Sequence, residues 1–134
     1  MKYTAVGIGG IVGALTRYGL GQWIGTHSAE AFPLATWLAN MIGSFLLAFL
    51  TIYLFRVKHV SYVITSAVGT GMIGSFTTFS TFSVETLKLM QYDAFLIAFY
   101  YVSTSVVGGL LLSLVGFYLG NVLYEKRMKK EGSL

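Results

Sequence analysis

The sequence predicts an all-α integral membrane protein of four spanning helices, and three observations lead there. The chain has 134 residues, 55% of them hydrophobic and only 10% charged, too few charges to clothe a water-facing surface around so small a core. Four apolar stretches, about 3–24, 33–55, 60–90 and 94–124, each reach the ~20 residues that a helix needs to cross hydrocarbon. Short polar connections at 25–30, 56–59 and 91–93 separate them, so neighbouring helices run antiparallel and both termini lie on one side. The length fits a single domain, 1–134.

The first stretch must be told apart from a cleaved leader. Lys2 precedes an apolar run, and Ala29-Glu30-Ala31 resembles a small-residue cleavage site. However, the run is too long for the apolar core of a leader and Arg17 interrupts it, so it is expected to remain as a span. Arg17 suits either an interface anchor, its charge snorkelling to the headgroups, or an attractor of anions toward a vestibule. The second stretch opens on Pro33, whose missing N–H is harmless in a first helical turn. Asn40 lies inside it, as a structural hydrogen bond between helices or as an amide donor to an anion. Small residues at Gly9 and Gly13, Gly21 and Gly25, and Gly116 and Gly120 have the spacing of close helix contacts, and Gly108-Gly109 of the fourth stretch fit the same purpose.

The third stretch differs in kind. Gly69, Gly71 and Gly74, then Ser and Thr residues from Ser75 to Thr86, occupy a segment that hydrocarbon would normally fill with an unbroken apolar helix. Gly71 and Gly74 accept backbone angles closed to other residues, so the sequence predicts a helix broken near its middle. Freed carbonyl oxygens there suit a hard cation such as Na⁺. Phe79 and Phe82, three apart, share a helical face, with the hydroxyls of Ser80 and Thr81 beside them. A lipid-facing stripe would not be interleaved with hydroxyls. Ring edges carry partial positive charge and can meet a small anion without the grip of a lysine.

Several chemistries are excluded. There is no cysteine, hence no thiolate or disulfide. Of the acidic residues Glu30, Glu85, Asp93, Glu125 and Glu131, only Glu85 falls within a span, where it is expected to pair locally or lie near the surface. His27 and His59 fall in loops on opposite sides, so neither a metal cluster nor a nucleophile–base pair can form, and no enzyme is expected. The net charge of +4 is concentrated at Lys126, Arg127, Lys129 and Lys130, a membrane-flanking tail rather than a nucleic-acid surface.

Gly9-Gly10-x-x-Gly13-Ala14-x-x-Arg17-Tyr18, Ala39-Asn40, Gly71-x-x-Gly74-x-x-Thr77-Thr78-Phe79-Ser80-Thr81-Phe82-Ser83-x-Glu85-Thr86 and Tyr101-x-x-x-Ser105 resemble the bacterial fluoride channels, Fluc or CrcB, across all four spans. The resemblance implies an antiparallel, dual-topology dimer with two fluoride pores and a central structural Na⁺ held by backbone carbonyls. Carried over by motif position, these are the carbonyls of Gly74 and Thr77. The implied pore residues are Phe79, Phe82, Asn40, Ser80, Thr81, Tyr101 and Ser105. Two positions depart from the pattern: Gly109 stands where a second serine often follows Ser105 by one turn, and Ser75 replaces a frequent glycine.

The expected function is passive export of fluoride across the bacterial cell membrane. HF crosses membranes and ionises inside, leaving F⁻ trapped unless a pore exists. The alternative is a proton-coupled exporter of small cations, resembling the small multidrug resistance transporters, but these need a membrane acid in the first helix and this one has none. A non-transporting scaffold subunit would leave the Ser/Thr-rich break unexplained. Lys and Arg favour the terminal side, with Lys2, Arg56, Lys58, Lys126, Arg127, Lys129 and Lys130 against Arg17 and Lys88. Both termini are therefore expected in the cytoplasm. That bias suits a heterodimer with an oppositely oriented paralogue, while the complete phenylalanine and cation motifs suit a homodimer.

Overall fold

The computed structural model describes residues 2–25, 31–53, 56 and 60–131. His27, His59, Glu30 and Lys58 lie outside these residues. All regular structure among the described residues is helical. Helix α1 (Lys2–Ile24) stops at Gly25, whose φ of 83° is left-handed and whose N–H donates to the Gly21 carbonyl at 3.1 Å. The expectation that Gly21 and Gly25 form a packing pair is corrected here. Gly25 ends the helix, and no atom lies within 4 Å of where a Gly21 Cβ would stand.

Pro33 immediately precedes α2 (Leu34–Tyr53), and its carbonyl accepts the Trp37 N–H at 3.0 Å. The third segment is assembled from pieces. Ser61 caps α3 (Tyr62–Ser66), which continues as a π-helix over Ala67–Ile73 and then as α4 (Gly74–Phe76). Thr77 and Thr78 are extended, and α5 (Phe79–Gln91) follows. A turn through Asp93, at φ 57°, leads into α6 (Phe95–Glu131). The 37 residues of α6 run well past the expected end at 124 and span ~55 Å, against ~30 Å of hydrocarbon. Among the described residues two helices, α2 and α6, are each long and apolar enough to cross a membrane.

Glycines set the packing. α1 lies against the π-helix, where a Cβ on Gly9 or Gly13 would run into the Ala67 or Met72 carbonyl, and one on Gly71 would stand 2.5 Å from the Val6 carbonyl oxygen. α2 lies along α6, with Gly116 against the Phe45 carbonyl and Gly120 against Ile52 and Phe49. The seam between α5 and α6 is closed by Leu89, Ala98 and Tyr101, joined by Phe32, Trp37 and Phe82. Lys2 reaches Tyr62 and Arg56 reaches Asn121, so the start of α1 meets the start of α3, and residue 56 meets the far half of α6.

Candidate functional site

The interruption at Thr77 and Thr78 is made by side chains that replace backbone partners. In a continuous helix the Thr78 N–H would bond the Gly74 carbonyl, and the Thr81 N–H the Thr77 carbonyl. Instead the Thr78 N–H donates to Asn40 Oδ1 at 2.8 Å, while Asn40 Nδ2 donates to the Thr78 carbonyl at 3.0 Å. The Thr81 N–H donates to Thr78 Oγ1 at 3.2 Å, an N-cap for α5. The carbonyls of Gly74 and Thr77 thereby lose the donors a helix would give them. The sequence expected Gly71 and Gly74 to open the helix through unusual angles, and this is corrected. Gly74 is helical at φ −61° and ψ −33°, and the sole left-handed glycine among the described residues is Gly25. Gly71 serves close approach to α1, and the opening lies at the two threonines.

A cavity of about 380 Å³ opens beside the break. Asn40, Gly74, Thr77, Phe79, Phe82 and Ser105, all singled out from the sequence, line it together. No Lys, Arg, Asp or Glu does so among the described residues. The two phenylalanine rings stand 5.9 Å apart at 37°. Phe79 is 80% exposed on the single chain, whereas Phe82 is half-buried and rests on the Tyr101 ring at 5.0 Å. Ser105 Oγ is buried with no hydrogen-bond partner. A second cavity, between α1, α2 and the third segment, is lined almost wholly by apolar atoms. Its one hydroxyl residue, Thr16, donates to the Val12 carbonyl.

Four expected site residues stand apart from the cavity wall. Ser80 and Thr81 are exposed and close the cap with Thr78. Tyr101 is fully buried behind Phe82, its hydroxyl donating to Glu85 at 2.7 Å. Arg17, half-buried on α1, does not line the cavity. Glu85 accepts a second bond from Thr36 Oγ1 at 2.9 Å, so its partners lie on α2 and α6 rather than locally. Two neutral donors converge because α5 presents Glu85 to the junction of those helices.

Sequence reasoning missed Thr36, Ser44 and Thr78. Thr36, Asn40 and Ser44 recur every fourth residue along α2, a one-face polar stripe that could have revealed Thr36 and Ser44. Among the described residues no cluster of His, Asp and Glu could hold a metal. The freed carbonyls of Gly74 and Thr77 are the donor set that suits a hard cation.

Residues 4–117 match the family model described as CrcB-like protein, Camphor Resistance (CrcB). The chain is 52% identical over 126 residues to "Fluoride-specific ion channel FluC 1" of Bacillus cereus, covering 94% of this chain and 88% of that protein. It is 49% identical over 126 residues to the protein of the same name in Bacillus anthracis, covering 94% and 92%. "Fluoride-specific ion channel FluC 2" of Listeria monocytogenes serotype 4b is 44% identical over 126 residues, covering 94% and 95%.

Proposed function

The chain belongs to the CrcB-like family, and we propose that it is a fluoride channel of the bacterial cell membrane that lets F⁻ leave the cytoplasm down its gradient. The observation that carries this is the cavity of Asn40, Phe79, Phe82 and Ser105. It offers neutral donors and ring edges and, among the described residues, a buried hydroxyl with no protein partner and no charged side chain. Such a lining stabilises a small anion while leaving it free to move on. The small-cation exporter is disfavoured because α1 carries no acid.

Phe79 and Phe82 bind the anion through their ring edges. Ser105 and the remaining N–H of Asn40 donate to it, and Ser80 and Thr81 serve the rim. Tyr101 supports Phe82 from behind, and Arg17 raises the local anion concentration or anchors α1 at the interface. Exposure of Phe79 and of one side of the cavity supports a functional unit of two chains, antiparallel in the membrane. The Gly74 and Thr77 carbonyls fit a structural Na⁺, with a partner chain completing its coordination. Basic residues on the terminal side support cytoplasmic termini, which labelling of an introduced C-terminal cysteine from each side would test.

Fluoride efflux from liposomes containing the chain purified alone is the decisive experiment. Fast, chloride-insensitive efflux supports the proposal and a homodimer. Efflux that needs an added paralogue supports the heterodimer, and none under either condition refutes the channel. Preparation with a large organic cation in place of Na⁺ should lower flux or dimer stability, and unchanged behaviour would remove the cation from the proposal.

A further inference from the structure

Hydroxyls within apolar helices ordinarily satisfy themselves by donating to the carbonyl four residues back, since hydrocarbon offers them nothing else. Thr16, Thr51, Ser83, Thr86 and Thr104 all do so. Ser44 and Ser105 do not. Ser44 contributes its carbonyl oxygen to the Ser113 hydroxyl at 3.4 Å, but its own hydroxyl has no partner among the described residues, and it lines the same cavity as Ser105 and Asn40. Close packing does not require a serine here, because the tight contact of this turn is made by Gly43 against the Thr77 methyl.

Across the seam from Ser44 lies the glycine that departs from the family pattern. A Cβ on Gly109 would stand 3.6 Å from Ser44 Oγ and 3.7 Å from Met41 Cε, an ordinary contact distance. Position 109 therefore has room for a small side chain, and that side chain would be directed at the Ser44 hydroxyl. One turn beyond Ser105, the two helices hold one hydroxyl between them, and it comes from α2.

Resting on the fluoride-channel reading, we propose that Ser44 is an anion-binding and specificity-determining residue, supplying from α2 the hydroxyl that α6 lacks at Gly109. With Asn40 one turn below and Ser105 opposite, it gives a small, strongly hydrated monoanion a donor to replace water as it passes. At the level where the α6 wall has Gly109, the donor stands on the α2 wall.

The test is fluoride efflux from liposomes with the full chain. Ser44→Ala should slow efflux about fivefold, the worth of one neutral hydrogen bond. Ser44→Cys, nearly isosteric but a weak donor, should slow it similarly while the protein elutes at its wild-type size. Gly109→Ser in the Ser44→Ala background should restore efflux to near the wild-type rate, which a packing role for Ser44 would not allow. Wild-type efflux in both single variants, or no recovery in the double variant, overturns the assignment while leaving the channel intact. A wild-type chain that passes no fluoride overturns the channel reading and this one with it.

Discussion

Asn40→Leu is the substitution that most directly tests how the break is held. It keeps the approximate side-chain volume but removes both bonds to Thr78, the 2.8 Å bond from the Thr78 N–H and the 3.0 Å bond to its carbonyl. Side-chain hydrogen bonds inside membrane proteins average about 0.6 kcal/mol and reach about 1.7 kcal/mol, so the pair contributes about 1–3 kcal/mol. The lower end applies if residues 77 and 78 rewind and the Thr78 N–H returns to the Gly74 carbonyl. Rewinding would break the Thr81 cap on Thr78 and turn Phe79 away from the cavity. A small loss of stability should therefore accompany a large loss of fluoride flux. Asn40→Asp keeps the acceptor for the Thr78 N–H but loses the donor to its carbonyl. It should lose at least as much stability as Asn40→Leu, because its second carboxylate oxygen faces the Thr78 carbonyl that Nδ2 had bonded and a charge inside a membrane helix is costly. It should also lose all flux, because a carboxylate repels the anion. Unfolding midpoints in mixed micelles with increasing dodecyl sulfate, together with liposome efflux, measure both quantities. Wild-type stability and flux in Asn40→Leu would show that the bond pair does not hold the break.

Other outcomes follow from the same geometry. Phe79→Ile and Phe82→Ile should each sharply reduce efflux, but only Phe82→Ile should also lower the unfolding midpoint, since only Phe82 rests on Tyr101; efflux at the wild-type rate in both would remove ring edges from the mechanism. Gly13→Ala should destabilise by about 1–3 kcal/mol by driving a methyl into the Met72 carbonyl. Gly21→Ala, with open space around it, should be neutral or gain up to about 1 kcal/mol from helix propensity, and equal losses in the two would contradict the packing described. Thr36→Val and Tyr101→Phe share Glu85 as acceptor, so a double-mutant cycle on unfolding midpoints should show coupling of about 0.5 kcal/mol or more, and strict additivity would argue against a shared carboxylate.

The helical class was legible in hydropathy and the start of α2 in Pro33, because those features act locally, whereas Gly25, expected to pack with Gly21, ends α1 instead. The cavity residues were legible as a motif, yet their arrangement was not. Whether a hydroxyl faces its own helix, a neighbour or empty space depends on which helices meet, and no local pattern encodes that. Thus Tyr101 looked like a wall residue and proved to stand behind Phe82, while Ser44 drew no notice although it faces the cavity. Gly71 and Gly74 misled for a related reason. Glycine permits unusual angles but equally permits close approach, and contact with α1 decides which permission Gly71 uses.

The polar groups around the break fall into two sets, and the division says how an anion path can be both firm and weakly binding. Asn40, Thr78 and Thr81 are tied to one another and to the backbone, and Thr36, Tyr101 and Glu85 form a second closed group. Ser44 and Ser105 remain open toward the cavity. Saturated groups hold shape, because moving any of them leaves a polar atom unpaired within a membrane segment, where hydrocarbon offers no substitute. Open hydroxyls hold nothing, so they can turn toward an ion and release it without disturbing the fold. Substitutions in the first two sets should therefore appear in the unfolding midpoint before they appear in flux, and substitutions at Ser44 and Ser105 in the reverse order. Asn40 belongs to both, with one amide N–H beyond its bond to Thr78, and is the position where stability and flux should fall together.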